Sequence, residues 1–164
     1  MKFEILSRSK AIKKTYDNSL EDCVIISITD YKSPRVDFAP NSAVKKILRL
    51  EFNDVLRNDP HCMTSDQAEQ ILDFANNWHD KVNLIIVHCE AGVCRSAAVA
   101  AALSKIFNED DMWVFDNPRF YPNSWVYRLI LEAEFGGFDE RNFAKKRQVN
   151  NRRWRELEGL EEEE

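Results

Sequence analysis

Apolar positions along this chain follow two different periods. Cys23-Val24-Ile25-Ile26-Ser27-Ile28 and Asn83 to Val87 are short, β-branched and nearly continuous, which predicts strands covered on both faces. Lys46 to Phe52 (KILRLEF) alternates, and Lys2 to Leu6 alternates weakly, as an edge strand would. Ala68, Ile71, Leu72, Ala75 and Trp78 instead recur at helical intervals behind Thr64, and Gln67 stands at capping-box spacing from that threonine. Further helices are predicted over Ser7 to Tyr16, Ser96 to Phe107, Ser124 to Glu134 and Asp139 to Leu157. Asn123 or Ser124 caps the helix over Ser124 to Glu134, and Gly136-Gly137 closes it. Thr29 to Pro40 and Asn53 to Met63 read as loops, and Asn108 to Pro122 as irregular chain. Strands alternating with helices predict an α/β fold: a mostly parallel central sheet with helices on both faces.

Composition narrows the class. A chain of 164 residues, 44% hydrophobic, is expected to form a single domain with a real core. A net charge of −5 does not suggest a nucleic-acid binder. The four cysteines, Cys23, Cys62, Cys89 and Cys94, have no zinc-finger spacing and only three histidines accompany them, so neither metal nor cofactor is expected. No apolar run approaches membrane-spanning length, and MKFEILSRSKAIKK lacks a signal-peptide core. The expected setting is the cytoplasm, with reduced thiols. Oligomeric state is not encoded in any of these features.

The chemistry concentrates where the strand ending at Val87 meets His88-Cys89-Glu90-Ala91-Gly92-Val93-Cys94-Arg95-Ser96 and an alanine-rich helix. Such a strand–loop–helix turns successive backbone N–H groups toward one point, where a tetrahedral oxyanion can sit. Glu90 to Cys94 would supply those N–H groups, and Gly92 permits the backbone angles that aim them inward. Arg95 offers a planar fork for two phosphate oxygens. Helix N-termini and guanidiniums stabilise thiolates, which makes Cys89 the candidate nucleophile. Ser96 is placed to hydrogen-bond the sulfur as it leaves a thiophosphate.

His-Cys-x-x-Gly-x-x-Arg-Ser resembles the signature of cysteine-dependent protein tyrosine phosphatases, and its central position resembles the dual-specificity branch. The wider run HCEAGVCRSAAVAAAL looks closest to small bacterial tyrosine-phosphatase-like proteins. The resemblance spans about Val24 to Glu134 and leaves residues 138–164 as a charged C-terminal helix and tail. It implies a dual-specificity phosphatase-like fold and a hydrolase that cleaves phosphotyrosine, or other phosphoesters including phosphoserine and phosphothreonine, through a phosphocysteine. Phosphorylated proteins are then the expected partners, with no membrane involved. By the same resemblance the general acid lies on a loop before the cysteine. Asp54 is the first candidate and Asp59 the second. Asp116, in Asp116-Asn117-Pro118, loosely resembles the downstream acid of low-molecular-weight tyrosine phosphatases. His88 is expected to orient the loop. Asn123, in Tyr121-Pro122-Asn123-Ser124, resembles a polar brace of the catalytic loop, and it is equally a plain helix cap. In low-molecular-weight enzymes a cysteine at the position of Cys94 forms a protective disulfide with the nucleophile, so Cys94 is a redox candidate here.

Two other functions stay open at this stage. One is a module that binds phosphorylated ligands without turnover. The other is a thiol enzyme handling sulfur or arsenate. The seven basic residues of Arg141 to Arg155, uninterrupted by an acid, read as a solvated helix face rather than as a docking site for an acidic partner or RNA.

Overall fold

The computed structural model describes residues 1–159. Four strands form its sheet: β1 (Lys2–Leu6), β2 (Cys23–Thr29), β3 (Val44–Glu51) and β4 (Leu84–His88). The order across the sheet is β1-β4-β2-β3 and every pairing is parallel. β1 is thus an edge strand, as its weak alternation predicts. β2 and β4 are central, and every residue of each is buried, which explains their unbroken apolar runs.

Alternate residues of β2 and β4 point to opposite faces. Val24, Ile26, Ile28, Ile85 and Val87 join the larger core. That core is built with α2 (Ser65–Trp78), α3 (Arg95–Asn108) and α5 (Ser124–Phe135). Cys23, Ile25, Leu84 and Ile86 face a smaller cluster with Leu20, Phe38 and Ile47, on the side where α1 (Arg8–Lys14) and the loop after β2 lie. Each fully buried Ile, Leu or Val contributes about 1.5–3 kcal/mol relative to exposure, so these strands anchor whatever is attached to their ends. α3 is buried from Arg95 to Ser104 on every side, and its alanines let it lie close to the sheet. Thr64 and Gln67 form the capping box expected of them.

Two expectations change. Asn108 to Pro122 is not wholly irregular: Met112–Phe115 forms a single turn, α4. Four residues are too few to show a hydrophobic period, and Val114 and Phe115 are buried by tertiary packing instead. The basic segment lies on α6 (Glu140–Glu158) and is not simply a solvated face. Lys146 is buried and bonds Asp111 at 2.8 Å, and Asp111 also accepts the Tyr127 hydroxyl at 2.5 Å. Arg147 donates to Pro122 O and lies over the Tyr121 ring, Asn150 donates to Phe115 O and Phe120 O, and Arg153 pairs with Asp116. α6 therefore clamps the segment that leads from α3 to α5. The terminal run of glutamates, expected as a solvated end, lies outside the described residues.

Candidate active site

β4 ends at His88 in the middle of the sheet, and α3 begins at Arg95, so residues 89–94 turn at the carboxyl edge where open α/β sheets bind ligands. Gly92 is the residue that fixes the turn. Its φ is +71°, and a Cβ there would lie 2.6 Å from both Leu6 C and Ser7 N. Only glycine fits that angle and that contact. The backbone leaving β1 thus packs directly under the loop, and Arg8 N donates to Glu90 O at 3.1 Å.

Cys89 lies at the floor of the turn, 2% exposed, with its Sγ 3.1 Å from Ser96 Oγ. No side chain caps the first turn of α3, whose leading N–H groups are therefore available to an anion. Arg95 is 5% exposed. Its Nη1 donates to Asp30 Oδ1 at 2.6 Å and to Phe52 O at 2.9 Å. Its Nε is buried and has no hydrogen-bond partner among the described residues. A buried N–H without an acceptor is costly, and an oxyanion in the loop would supply one.

His88 holds the loop from below. Its Nδ1 lies 3.0 Å from Cys89 O, and its Nε2 lies 2.6 Å from Ser27 Oγ. A carbonyl only accepts, so Nδ1 carries the proton and Nε2 accepts from the Ser27 hydroxyl. Burial lowers the pKa of His88, opposed by the bond to Cys89, which keeps the ring neutral in this role.

Asp54 stands in the loop after β3, where Asn123 Nδ2 donates to its Oδ1 at 2.8 Å and to Val55 O at 3.2 Å. The same asparagine accepts from Trp125 N and Val126 N, capping α5, and its own N–H donates to Cys94 O at 3.0 Å. The side chain thus caps α5 and holds Asp54, while only the backbone N–H of Asn123 reaches the loop. Tyr121 N donates to Val93 O at 2.9 Å, a second tie from this segment to the loop. The Cys94 thiol is pushed up to about 12, first by burial, then by the charge of Asp54 and a hydrogen bond to it. Cys94 is therefore a neutral neighbour of Asp54, and no disulfide links it to Cys89.

The other acidic candidates have different partners. Asp59 is exposed, its backbone N–H donating to Leu56 O and its carbonyl accepting from Cys62 N. Asp116 ends α4 and is paired with Arg153 at 2.8 Å. Glu90 and Ala91 are exposed at the rim, and Glu90 faces Arg8 at 3.8 Å. No group of His, Cys, Asp and Glu able to hold a metal occurs among the described residues. None of the described helices is long and apolar enough to cross a membrane.

Sequence reasoning missed Asp30 and Ser27. Asp30 follows β2, 65 residues before Arg95, and nothing around it signals chemistry. The link appears only when β2 is seen beside β4.

No protein-family model matches the chain, and no curated protein does. Solved structures do share its fold. The human tyrosine phosphatase-like serine/threonine/tyrosine-interacting protein aligns with a TM-score of 0.60 at 19% identity, over 80% of this chain and 90% of its own. PTPMT1 aligns with a TM-score of 0.51 at 16% identity, over 92% and 93%. A variant of human DUSP28 aligns with a TM-score of 0.50 at 14% identity, over 94% and 92%. The fold is that of the dual-specificity phosphatases, and at these identities the likeness concerns the fold alone.

Proposed function

We propose that this protein is a cysteine-dependent phosphatase that hydrolyses phosphate monoesters, with phosphotyrosine in proteins as the favoured substrate. One observation carries the reading. Arg95 is held on one edge by Asp30 and Phe52 O while its buried Nε lacks a partner, beside an uncapped helix start and a cysteine bonded to Ser96. That arrangement is suited to a phosphoryl group whose oxygens meet Arg95 and the loop N–H groups while phosphorus faces Cys89.

In the first step the Cys89 thiolate attacks phosphorus. An S–P bond forms and the ester P–O bond breaks, and the leaving oxygen takes a proton from Asp54. In the second step water attacks the phosphocysteine and gives its proton to the Asp54 carboxylate. The S–P bond breaks, the Ser96 hydroxyl donates to the departing thiolate, and inorganic phosphate leaves. No step needs a metal or cofactor. Asn123 is the positioning residue for Asp54, and His88 for the loop.

A second reading is capture of phosphorylated ligands without turnover. It draws on the neighbour described as phosphatase-like and interacting. The presence of Cys89, Arg95 and Asp54 together favours hydrolysis. Release of phosphate from a generic aryl phosphate decides between them: turnover supports the enzyme, and tight binding with no release supports the binding module. Thiosulfate and arsenate in the same assay test the sulfur- and arsenate-handling alternatives.

A further inference from the structure

Behind the reactive loop, on the α1 side of the sheet, lies a polar cavity of about 180 Å³ that the catalytic scheme does not use. Ser27, Thr29, Arg35, Arg49 and Glu51 line it. β2 places Ser27 and Thr29 opposite Arg49 and Glu51 of β3, so all four share one face of the sheet. The loop that follows β2 roofs the cavity with Arg35 and Val36.

Two arginines, Arg35 and Arg49, and one acid, Glu51, line this small space. Arg49 Nη1 donates to Val36 O at 2.8 Å, which leaves its Nε edge for another acceptor. Glu51 makes no salt bridge with Arg35 or Arg49 among the described residues, and neither does Asp37, the carboxylate acting most on Arg49. Burial and then the charge of Arg35 lower the pKa of Arg49, against the opposing pull of Asp37. Arg35 and both carboxylates are exposed, so solvent weakens their action on the half-buried Arg49, and a bound anion would add to the counter-charge there. Thr29 adds a hydroxyl donor, while the Ser27 proton is already engaged with His88.

We propose that this cavity is a second oxyanion site, large enough for a phosphate or sulfate group, with Arg35, Arg49 and Thr29 as its donors. Its roof is tied to the catalytic loop at two points. Asp30, at the start of the roof, grips Arg95, and Ser33 and Pro34 O accept from the Arg8 guanidinium, whose backbone N–H donates to Glu90 O. An anion bridging Arg35 and Arg49 fixes the roof and, through it, Asp30. The anion is either a second phosphate of the substrate or free inorganic phosphate.

The test separates this site from the loop. Inorganic phosphate is titrated by calorimetry into Arg95→Met protein, in which the loop fork is removed. One phosphate should still bind, with a dissociation constant of about 1 mM or lower. Adding Arg35→Gln, at an exposed position, should weaken it at least about tenfold, the loss expected for a charge-assisted bond. No binding to the Arg95→Met protein, or binding indifferent to Arg35→Gln, overturns the proposal. This arm needs no turnover and is independent of the phosphatase reading. A second arm rests on that reading and compares singly and doubly phosphorylated peptides with Arg35→Gln alone. A raised KM confined to the doubly phosphorylated peptide assigns the site to substrate. An unchanged KM for both, with phosphate binding as above, assigns it to the free anion.

Discussion

Arg95 Nη1 lies 2.6 Å from Asp30 Oδ1, a bond that joins the start of α3 to the end of β2 across 65 residues. The guanidinium is almost wholly buried while the carboxylate is half exposed, so solvent screens part of the attraction. Its worth under the proposed mechanism is geometric, because it holds the guanidinium fork in one orientation. Asp30→Ala should lower kcat/KM about 10- to 100-fold, the scale of a slightly misplaced positioning group. Asp30→Asn should lose less and Asp30→Glu less again, because each keeps an acceptor. Steady-state kinetics on the three variants check the order. Equal loss in all three would assign Asp30 to the fold rather than to Arg95.

Asn123 caps α5 with its side-chain oxygen and holds Asp54 with its amide nitrogen. These duties separate by substitution. Asn123→Ser keeps a good cap but has no amide to reach Asp54. Its melting temperature should stay near wild type while aryl phosphates with poor leaving groups slow far more than those with good ones. Asp54→Asn should show the same dependence, up to about the 10²–10⁴-fold typical of a general acid. If leaving group does not matter in either variant, the acid is another residue.

Gly92→Ala tests the turn. The added Cβ meets backbone atoms of Leu6 and Ser7 at 2.6 Å, and φ is +71°. Backbone cannot yield as a side chain does, so a loss of about 1–3 kcal/mol is expected from strain at this one position, together with collapse of activity. Urea unfolding and aryl phosphate turnover measure the two effects.

How much of this was readable beforehand follows the range of each interaction. The strand–loop–helix around Cys89, the capping box at Thr64 and the closing Gly136 are all local patterns, and the sequence displays them directly. Asp30, Ser27 and the roles of Lys146 and Arg147 depend on which strands and helices become neighbours. A charge pattern such as Arg141 to Arg155 looks like a solvated face until α4 and Tyr121 are found beneath it. Asn123 lay between, since its cap is local and its bond to Asp54 is not.

Stability should also report on His88. Burial keeps its folded pKa below the ordinary value of 6.5, while the unfolded chain takes up a proton below about 6.5. The unfolded state then binds more protons, so this contribution is full above about pH 6.5 and is lost as pH falls toward the folded pKa. His88→Asn keeps a donor toward Cys89 O and cannot titrate. It should be less stable than wild type near neutrality, with a difference that shrinks on acidification between pH 7 and 5. Urea midpoints across that range check it, and a constant difference would contradict the neutral, buried assignment.

The central claim is a covalent phosphate on Cys89. A good-leaving-group aryl phosphate mixed with Asp54→Asn protein should form the intermediate at near-normal speed and hydrolyse it slowly, because departure needs little acid while water still needs its base. Rapid denaturing quench followed by peptide mass spectrometry should then find phosphate on the peptide holding Cys89, and none in Asp54→Asn/Cys89→Ser protein. Turnover by a clean Cys89→Ser preparation within about tenfold of wild type, or label on any other residue, would contradict the account.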